Sequence, residues 1–140
     1  MHPQYFEGTL QLRNPDPEVV DFVRKQIKKN RHVFVAKESR VRGGIDIQLS
    51  SQKFMQQLGK KLQQSFGGDL KISRKLYSRH RQTGKNIYRV NVMFRLSPVR
   101  KGDVVEINGD RYEVLSAGKK VFAKDLDSGK KKEFSYDDLR

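Results

Sequence analysis

The pattern of hydrophobic and polar residues predicts five strands in the first two-thirds of the chain. Over residues 5–13 the apolar side chains of Phe6, Leu10 and Leu12 fall on one face of a strand, and polar side chains fall on the other. Such alternation is typical of strands that are buried on one side only. The predicted strands are residues 5–13, 32–37, 45–50, 70–79 and 86–96.

Two segments between these strands have helical periodicity instead. In the first, valine and isoleucine recur three or four positions apart, and Asp16, placed before a proline, suits the N-cap of a helix. The second begins at Ser50 or Ser51 and carries phenylalanine or leucine every four residues from position 54 to position 66. The glycine pair 67–68 is a typical helix end.

The resulting order, β-α-β-β-α-β-β, predicts an α+β fold, namely a ferredoxin-like split βαβ sandwich with one additional strand. Ser97 precedes a proline and so favours an extended link after this unit. Four short strands with frequent turns follow, over residues 103–107, 111–117, 120–126 and 131–135, which is typical of a small SH3-like or OB-like β-barrel. We therefore predict two domains, residues 1–96 and residues 97–140.

Composition narrows the possible functions. The 140 residues include no cysteine, which excludes disulfides, cysteine-ligated zinc, iron–sulfur clusters and a thiol nucleophile. Three scattered histidines offer little for a metal site, and we expect no cofactor and no small-molecule substrate. The sequence contains no apolar stretch long enough for a membrane span and no apolar run typical of a signal peptide. We therefore expect a cytoplasmic protein that does not bind membranes.

The charge is both large and unevenly placed. The formal net charge is +14, and residues 1–95 hold 20 of the 30 basic residues but only 7 of the 16 acidic ones. Residues 70–102 contain no acidic residue at all. A one-signed stretch of this length repels itself unless an anion relieves it, so a surface for a polyanion is favoured over a merely solvated face.

The predicted hairpin of residues 70–96 provides such a surface. Alternation places Lys71, Ser73, Lys75, Tyr77 and Arg79 on one face, together with Arg89, Asn91, Met93 and Arg95. Tyr77 either stacks on bases or packs on a neighbouring side chain, and Arg74 falls on the core-facing side, so a bulge or an edge position must expose it. Whether the basic segment 37–42 joins this surface is left open by the sequence. The predicted RNA-binding residues are Arg40, Arg42, Lys71, Lys75, Tyr77, Arg79, His80, Arg81, Lys85, Arg89, Arg95, Lys119, Lys120, Lys130 and Lys131.

Motifs for catalysis are missing from the sequence. It has no phosphate-binding glycine loop of the GxxxxGK[ST] type, no dinucleotide fingerprint, and no carboxylate cluster or histidine pair at metal-ligand spacing. We expect a binding protein rather than an enzyme.

Several segments resemble a known family, most specifically VRGGID and SRHRQTGK, and also the final stretch from PVRKGD to DLDSGK. The chain is similar to the middle part of the large-ribosomal-subunit export adaptors called nonsense-mediated decay protein three. It looks like an archaeal member, or a fragment without the zinc-binding N-terminal part and the C-terminal tail with transport signals. The last domain is similar to the small barrel of initiation factor five A.

The resemblance implies an adaptor that binds the large ribosomal subunit and its RNA in ribosome biogenesis or quality control. It implies contacts through the residues of the matching motifs, Arg40, Arg42, Arg79, Arg81 and Lys85. The alternative is a protein-interaction module whose barrel grips a ribosomal protein or a translation factor. The two differ in salt dependence, because phosphate contacts weaken steeply as salt rises.

Overall fold

The computed structural model describes residues 5–79, 84 and 86–139, which form two sheets and two helices. The first part contains β1 (Gly8–Arg13), α1 (Pro17–Lys29), β2 (Val35–Val41), β3 (Gly44–Leu49), α2 (Gln52–Phe66), β4 (Gly68–Arg79) and β5 (Asn86–Leu96). The second contains β6 (Val104–Ile107), β7 (Asp110–Ala117), β8 (Val121–Asp125), β9 (Lys131–Phe134) and a 3-10 helix (Tyr136–Leu139). The predicted α+β class and element order are confirmed.

The first sheet has five strands in the order β2-β3-β1-β5-β4. The central strand β1 is antiparallel to β3 and parallel to β5, and each of these two pairs with the other strand of its own hairpin. Consequently β2 and β4 are the two edge strands. The description of this arrangement as ferredoxin-like, and of the second sheet as an SH3-like or OB-like barrel, stays a prediction.

Both helices cover the same face of the five-stranded sheet. Leu10, Val92 and Phe94 of the sheet are fully buried and belong to one hydrophobic cluster with Val23 of α1 and Leu62 of α2. The helices also touch each other where two phenylalanine rings meet edge to face, with centroids 5.4 Å apart. No helix in the described part of the chain is long and apolar enough to cross a membrane.

The first helix starts where the sequence predicts. The Asp16 side chain accepts a hydrogen bond from the backbone N–H of Val19 at 3.0 Å, and Pro17 occupies the first helical position. Such a bond satisfies one of the otherwise unpaired N–H groups at a helix start. The second helix is capped by Ser51, one of the two predicted positions, and the Glu7 carboxylate accepts from the N–H of Gln52 at 2.8 Å.

Replacing Asp16 with alanine should lower the free energy of unfolding by about 1 kcal/mol, the typical cost of losing an N-cap. Urea unfolding followed by circular dichroism measures this loss. Asp21→Ala removes the same charge from an exposed position inside α1 and should cost less. Equal losses for the two variants would show that charge, rather than the hydrogen bond to Val19, accounts for the effect of Asp16.

The second sheet has the order β6-β7-β8-β9 and its own hydrophobic cluster. Tyr112 and Phe134 meet edge to face in it, with ring centroids 4.9 Å apart. Tyr136 of the 3-10 helix packs on the same cluster, and its hydroxyl donates to the Gly118 carbonyl oxygen at 2.6 Å. The short 3-10 helix after the last strand thus closes one side of this cluster.

The two sheets are joined by backbone contacts at the end of α2. The N–H of Gly68 donates to the Gly118 carbonyl oxygen, directly after β7, at 3.0 Å, and Gly67 lies against the backbone of Ala117 at the end of β7. The second sheet thus sits at the end of the first sheet where β4 begins and β5 ends.

Two predicted strands are misplaced. The first starts at Gly8 rather than at residue 5, and Phe6, which alternation assigned to the core, lies outside the core cluster. The second covers Val35–Val41 rather than 32–37, because the hairpin turn is only two residues long and the strand extends through the charged segment before it. Phe34 precedes this strand with half of its surface exposed (50%).

Candidate nucleic-acid interface

The face of the five-stranded sheet opposite the helices, which we call the helix-free face, carries polar side chains. Side chains alternate along each strand, so the residues between the buried ones point to this face. Cross-strand pairing places Lys71 opposite Met93, Ser73 opposite Asn91 and Lys75 opposite Arg89, so these residues share one face, as the alternation predicts. Among the side chains that the structure describes, the basic residues of the face are Arg13, Lys37, Lys71, Lys75, Arg89 and Arg95, and the acidic ones within the strands are Asp46 and Asp69.

Both carboxylates lie toward the second sheet and face basic neighbours. The guanidinium of Arg13 is 2.7 Å from an Asp46 carboxylate oxygen, and the Lys71 ammonium is 3.8 Å from an Asp69 carboxylate oxygen. Lys75 and Arg89 lie further along the hairpin, beyond the rows that hold these acids. The Lys75–Arg89 pair therefore lies outside the rows of Asp46 and Asp69.

Beside this pair, Arg89 stacks on an aromatic ring. Its guanidinium carbon lies 3.7 Å from the centroid of the Phe6 ring, which is close enough for a cation–π interaction. Phe6 is half-buried, and the ring and guanidinium line a surface depression of about 390 Å³ together with Thr9, Lys75, Leu76 and Asn91. Sequence analysis missed Phe6 because its contact with Arg89 depends on the parallel pairing of β1 with β5, which no local pattern reveals.

The carboxylate of Glu7, the residue after Phe6, accepts hydrogen bonds from two neighbouring groups. The hydroxyl of Tyr5 donates to one Glu7 carboxylate oxygen at 2.7 Å, and the other Glu7 oxygen accepts from the start of α2. The hydrogen bond to the Glu7 carboxylate raises the pKa of the Tyr5 phenol, burial adds to the rise, and the positive charge of Arg89 opposes it. Glu7 is thus committed to structural contacts, and Tyr5 keeps its proton and its hydrogen bond at neutral pH.

The exposed position of Arg74 comes from the edge of the sheet. Arg74 pairs with Val90 on the helix side of β4, and its guanidinium carbon lies 4.5 Å from the centroid of the Tyr88 ring. Nearby Leu76 is 54% exposed, so the helices do not cover this part of the strand. A register irregularity between Leu76 and Ser78 follows. The sequence offers a bulge or an edge position as the reason why Arg74 is exposed. The edge position is the reason, because the register irregularity lies further along β4.

Of the basic segment 37–42, the structure places Lys37 on the helix-free face but not Arg40 or Arg42. Arg40 pairs with Ile45, on the helix side of edge strand β2, and Arg42 occupies the exposed turn after it. That turn lies at the sheet end nearest the second sheet, where the N–H of Asn14 donates to the Gly43 carbonyl oxygen at 2.8 Å. Strand β4 occupies the opposite edge, and its tip points to the opposite end. Arg40 and Arg42 are therefore apart from the helix-free face of β4 and β5.

The remaining predicted residues are distributed as follows. Lys119, Lys120, Lys130 and Lys131 are exposed on the second sheet and its turns, where the Lys120 ammonium pairs with a Glu133 carboxylate oxygen at 3.0 Å. Tyr77 and Arg79 belong to β4, and only the backbone of these two residues is described. The predicted His80, Arg81 and Lys85 lie outside the described residues.

Two further observations bear on possible ligands. The Nε atom of Arg95 is buried and has no hydrogen-bond partner in the described part of the chain. It lies at the end of the helix-free face, beside a depression of about 440 Å³ that Asn14 and Tyr136 also line. Within residues 5–79, 84 and 86–139, no group of three or more histidine, aspartate or glutamate side chains is placed to hold a metal ion.

Comparison with known proteins identifies the five-stranded part. No curated protein matches the chain. The family model described as "NMD3, second domain" matches residues 5–96, which include all of β1–β5 and both helices, and so the whole helix-free face. Because this match extends over more than half of the sequence, the chain belongs to the NMD3 family, which is linked to the export and biogenesis of ribosomal subunits.

Proposed function

We propose that this chain is a non-catalytic adaptor that holds the large ribosomal subunit through ribosomal RNA on its helix-free face. The NMD3 family is associated with the large ribosomal subunit. The observation that carries the proposal is the cross-strand pair Lys75–Arg89 on the helix-free face, outside the rows that hold Asp46 and Asp69. Lys71 lies beside this pair, with its ammonium 3.8 Å from an Asp69 carboxylate oxygen. The proposal includes a cytoplasmic location, no cofactor and ribosomal proteins as possible neighbours.

Phosphate groups suit this face for physical reasons. Arginine and lysine donate charge-assisted hydrogen bonds to phosphate oxygens, and several of them along two strands can follow a nucleic-acid backbone. Loss of condensed counterions from the RNA would supply much of the affinity.

The proposal is tested by co-sedimentation with purified large subunits, small subunits and bare ribosomal RNA over a salt series. We expect retention on large subunits at near-physiological salt. If about six phosphates are contacted, the logarithm of affinity for RNA should fall against the logarithm of salt concentration with a slope near −4 to −5. The double variant Lys71→Gln/Lys75→Gln should make that slope shallower by roughly 1.5 to 2.

A matched control removes the same charge elsewhere. Lys28 and Lys29 are exposed in the last turn of α1, on the helix side of the sheet, so Lys28→Gln/Lys29→Gln should leave the slope nearly unchanged. Equal slopes for wild type and the β4 double variant would contradict the proposal. Equal retention on both subunits and on bare RNA would reduce it to unspecific electrostatic binding.

A protein-interaction role for the second sheet is the alternative function, with the predicted small barrel as its platform. One observation favours it: Phe122 of β8 is 45% exposed and lines a depression with Lys119 and Glu133. Affinity for the subunit that survives high salt and is lost in Phe122→Ala, but not in the β4 double variant, would support this function instead.

A further inference from the structure

Phe6 and Arg89, which are in cation–π contact, line a depression on the helix-free face. The guanidinium carbon lies 3.7 Å from the ring centroid, so the two planar groups are in contact. Phe6 precedes β1 and Arg89 belongs to β5, and the pairing of these two strands holds the residues beside each other. Aromatic rings and guanidinium planes both stack on nucleobases, and such stacking does not require a particular base.

The other walls of this depression carry groups that a nucleotide can use. The Asn91 amide and the Thr9 hydroxyl both donate and accept hydrogen bonds, which suits the edge of a base. The Lys75 ammonium supplies positive charge for the phosphate of the same nucleotide. The volume of about 390 Å³ is at the lower end of the range for small-molecule pockets and therefore admits one base rather than an extended ligand.

An unpaired base fits this depression better than a duplex or an acidic peptide. In a double helix the bases are stacked on one another, so none is free to enter a pocket of this kind. An acidic peptide would engage Lys75 and Arg89 through charge but would bring no planar ring to stack beside Phe6. The Glu7 carboxylate accepts hydrogen bonds from Tyr5 and from the start of α2, which hold it against these groups rather than in the depression.

We infer that the depression beside Phe6 and Arg89 binds one unpaired base of an RNA strand, with the flanking phosphates on Lys75 and Lys71. This inference rests on the proposed RNA binding and adds the class of RNA element, which is single-stranded. It also assigns Phe6 as the stacking residue, a role distinct from that of the basic residues that grip phosphates.

The test compares three RNA probes in fluorescence anisotropy at one salt concentration: a single-stranded oligomer of ten adenosines, an abasic strand with the same number of phosphates, and a duplex of ten base pairs. Wild-type protein should bind the adenosine strand about tenfold or more tightly than the abasic strand, since one stacked base contributes about 1–3 kcal/mol. Binding of the duplex should not depend on the Phe6 ring, because its bases are already stacked on one another.

Variants of Phe6 separate stacking from charge. Phe6→Leu keeps an apolar side chain but removes the ring, and it should weaken binding of the adenosine strand about tenfold while leaving binding of the abasic strand unchanged. Phe6→Tyr keeps the ring and should keep the affinity. Phe122→Ala removes an exposed ring from the second sheet and should change neither affinity. Thermal unfolding of each variant checks that it is folded at the temperature of the binding measurement.

Each contrary result has a separate meaning. If wild type binds the adenosine strand and the abasic strand equally, and Phe6→Leu changes neither, the inference is wrong while phosphate binding stands. If an acidic peptide of ten glutamates displaces the adenosine strand as well as unlabelled RNA does, the site takes any anion and the inference is also wrong. If no probe binds at near-physiological salt, the proposed function fails together with the inference.

Discussion

Replacing Gly67 with alanine should lower the free energy of unfolding by roughly 3 kcal/mol or more. Gly67 ends α2 with φ 76° and ψ 138°, a conformation that residues with a side chain rarely adopt. An added Cβ would also overlap the Ala117 carbonyl oxygen of the second sheet and lie 2.8 Å from the Ala117 carbonyl carbon. Both are backbone atoms, so they cannot move aside as a flexible side chain would. The backbone strain and the overlap therefore add, and the second sheet must shift away from the end of α2.

Urea unfolding measures the loss of stability, and backbone amide chemical shifts report whether the second sheet moves. Gly109→Ala is the matched control, because Gly109 has a similarly positive φ of 85° but open space around its missing side chain. It should show the strain alone, of the order of 1 kcal/mol. Gly118→Ala has neither problem and should be close to neutral. Equal losses for Gly67→Ala and Gly109→Ala would mean that the two sheets do not touch at Ala117.

Local sequence signals predicted the elements around this junction but not the junction itself. The glycine pair at 67–68 was interpreted only as a helix end, which is correct. Its second role depends on Ala117 and Gly118, which are distant in sequence and come near only after both sheets have formed. A close approach of two backbones leaves no periodic pattern, so nothing in the sequence distinguishes Gly67 from other helix-ending glycines.

The candidate site was predictable to a similar degree. The alternation along β4 and β5 correctly placed Lys71, Lys75 and Arg89 on one face, because a hairpin brings residues close in sequence into a fixed register. The same alternation gave the wrong position for Phe6, which it assigns to the core. The strand starts only at Gly8, and the Phe6 ring contacts Arg89 of a strand that is distant in sequence. Sequence pattern thus gave the charges of the face, whereas its aromatic component required the strand order.

The second large effect concerns the core beneath this face. Phe94 is 1% exposed and is one of the largest side chains of the cluster between the sheet and the helices. Phe94→Ala should lower the free energy of unfolding by about 3–5 kcal/mol, the usual range for removing a buried phenylalanine, because apolar burial is lost and a cavity remains. Since native proteins are stable by only about 5–15 kcal/mol, this is a large fraction of the total. Phe94→Leu keeps most of the buried volume and should cost less, which keeps the measurement possible if the alanine variant is largely unfolded.

Replacing Phe94 should lower the free energy of unfolding without changing the affinity for RNA. Phe94 points to the helices, whereas its neighbours Met93 and Arg95 point to the helix-free face, so the binding side chains keep their strand and register. In Phe94→Leu, at a temperature where the protein is fully folded, the affinity for single-stranded RNA should therefore equal that of wild type. Phe122→Ala, on an exposed ring of the second sheet, should change the free energy of unfolding by about 0.5 kcal/mol or less. A loss in Phe94→Ala no larger than that would contradict the placement of Phe94 in the core, and weaker RNA binding in folded Phe94→Leu would show that the two faces of the sheet are coupled.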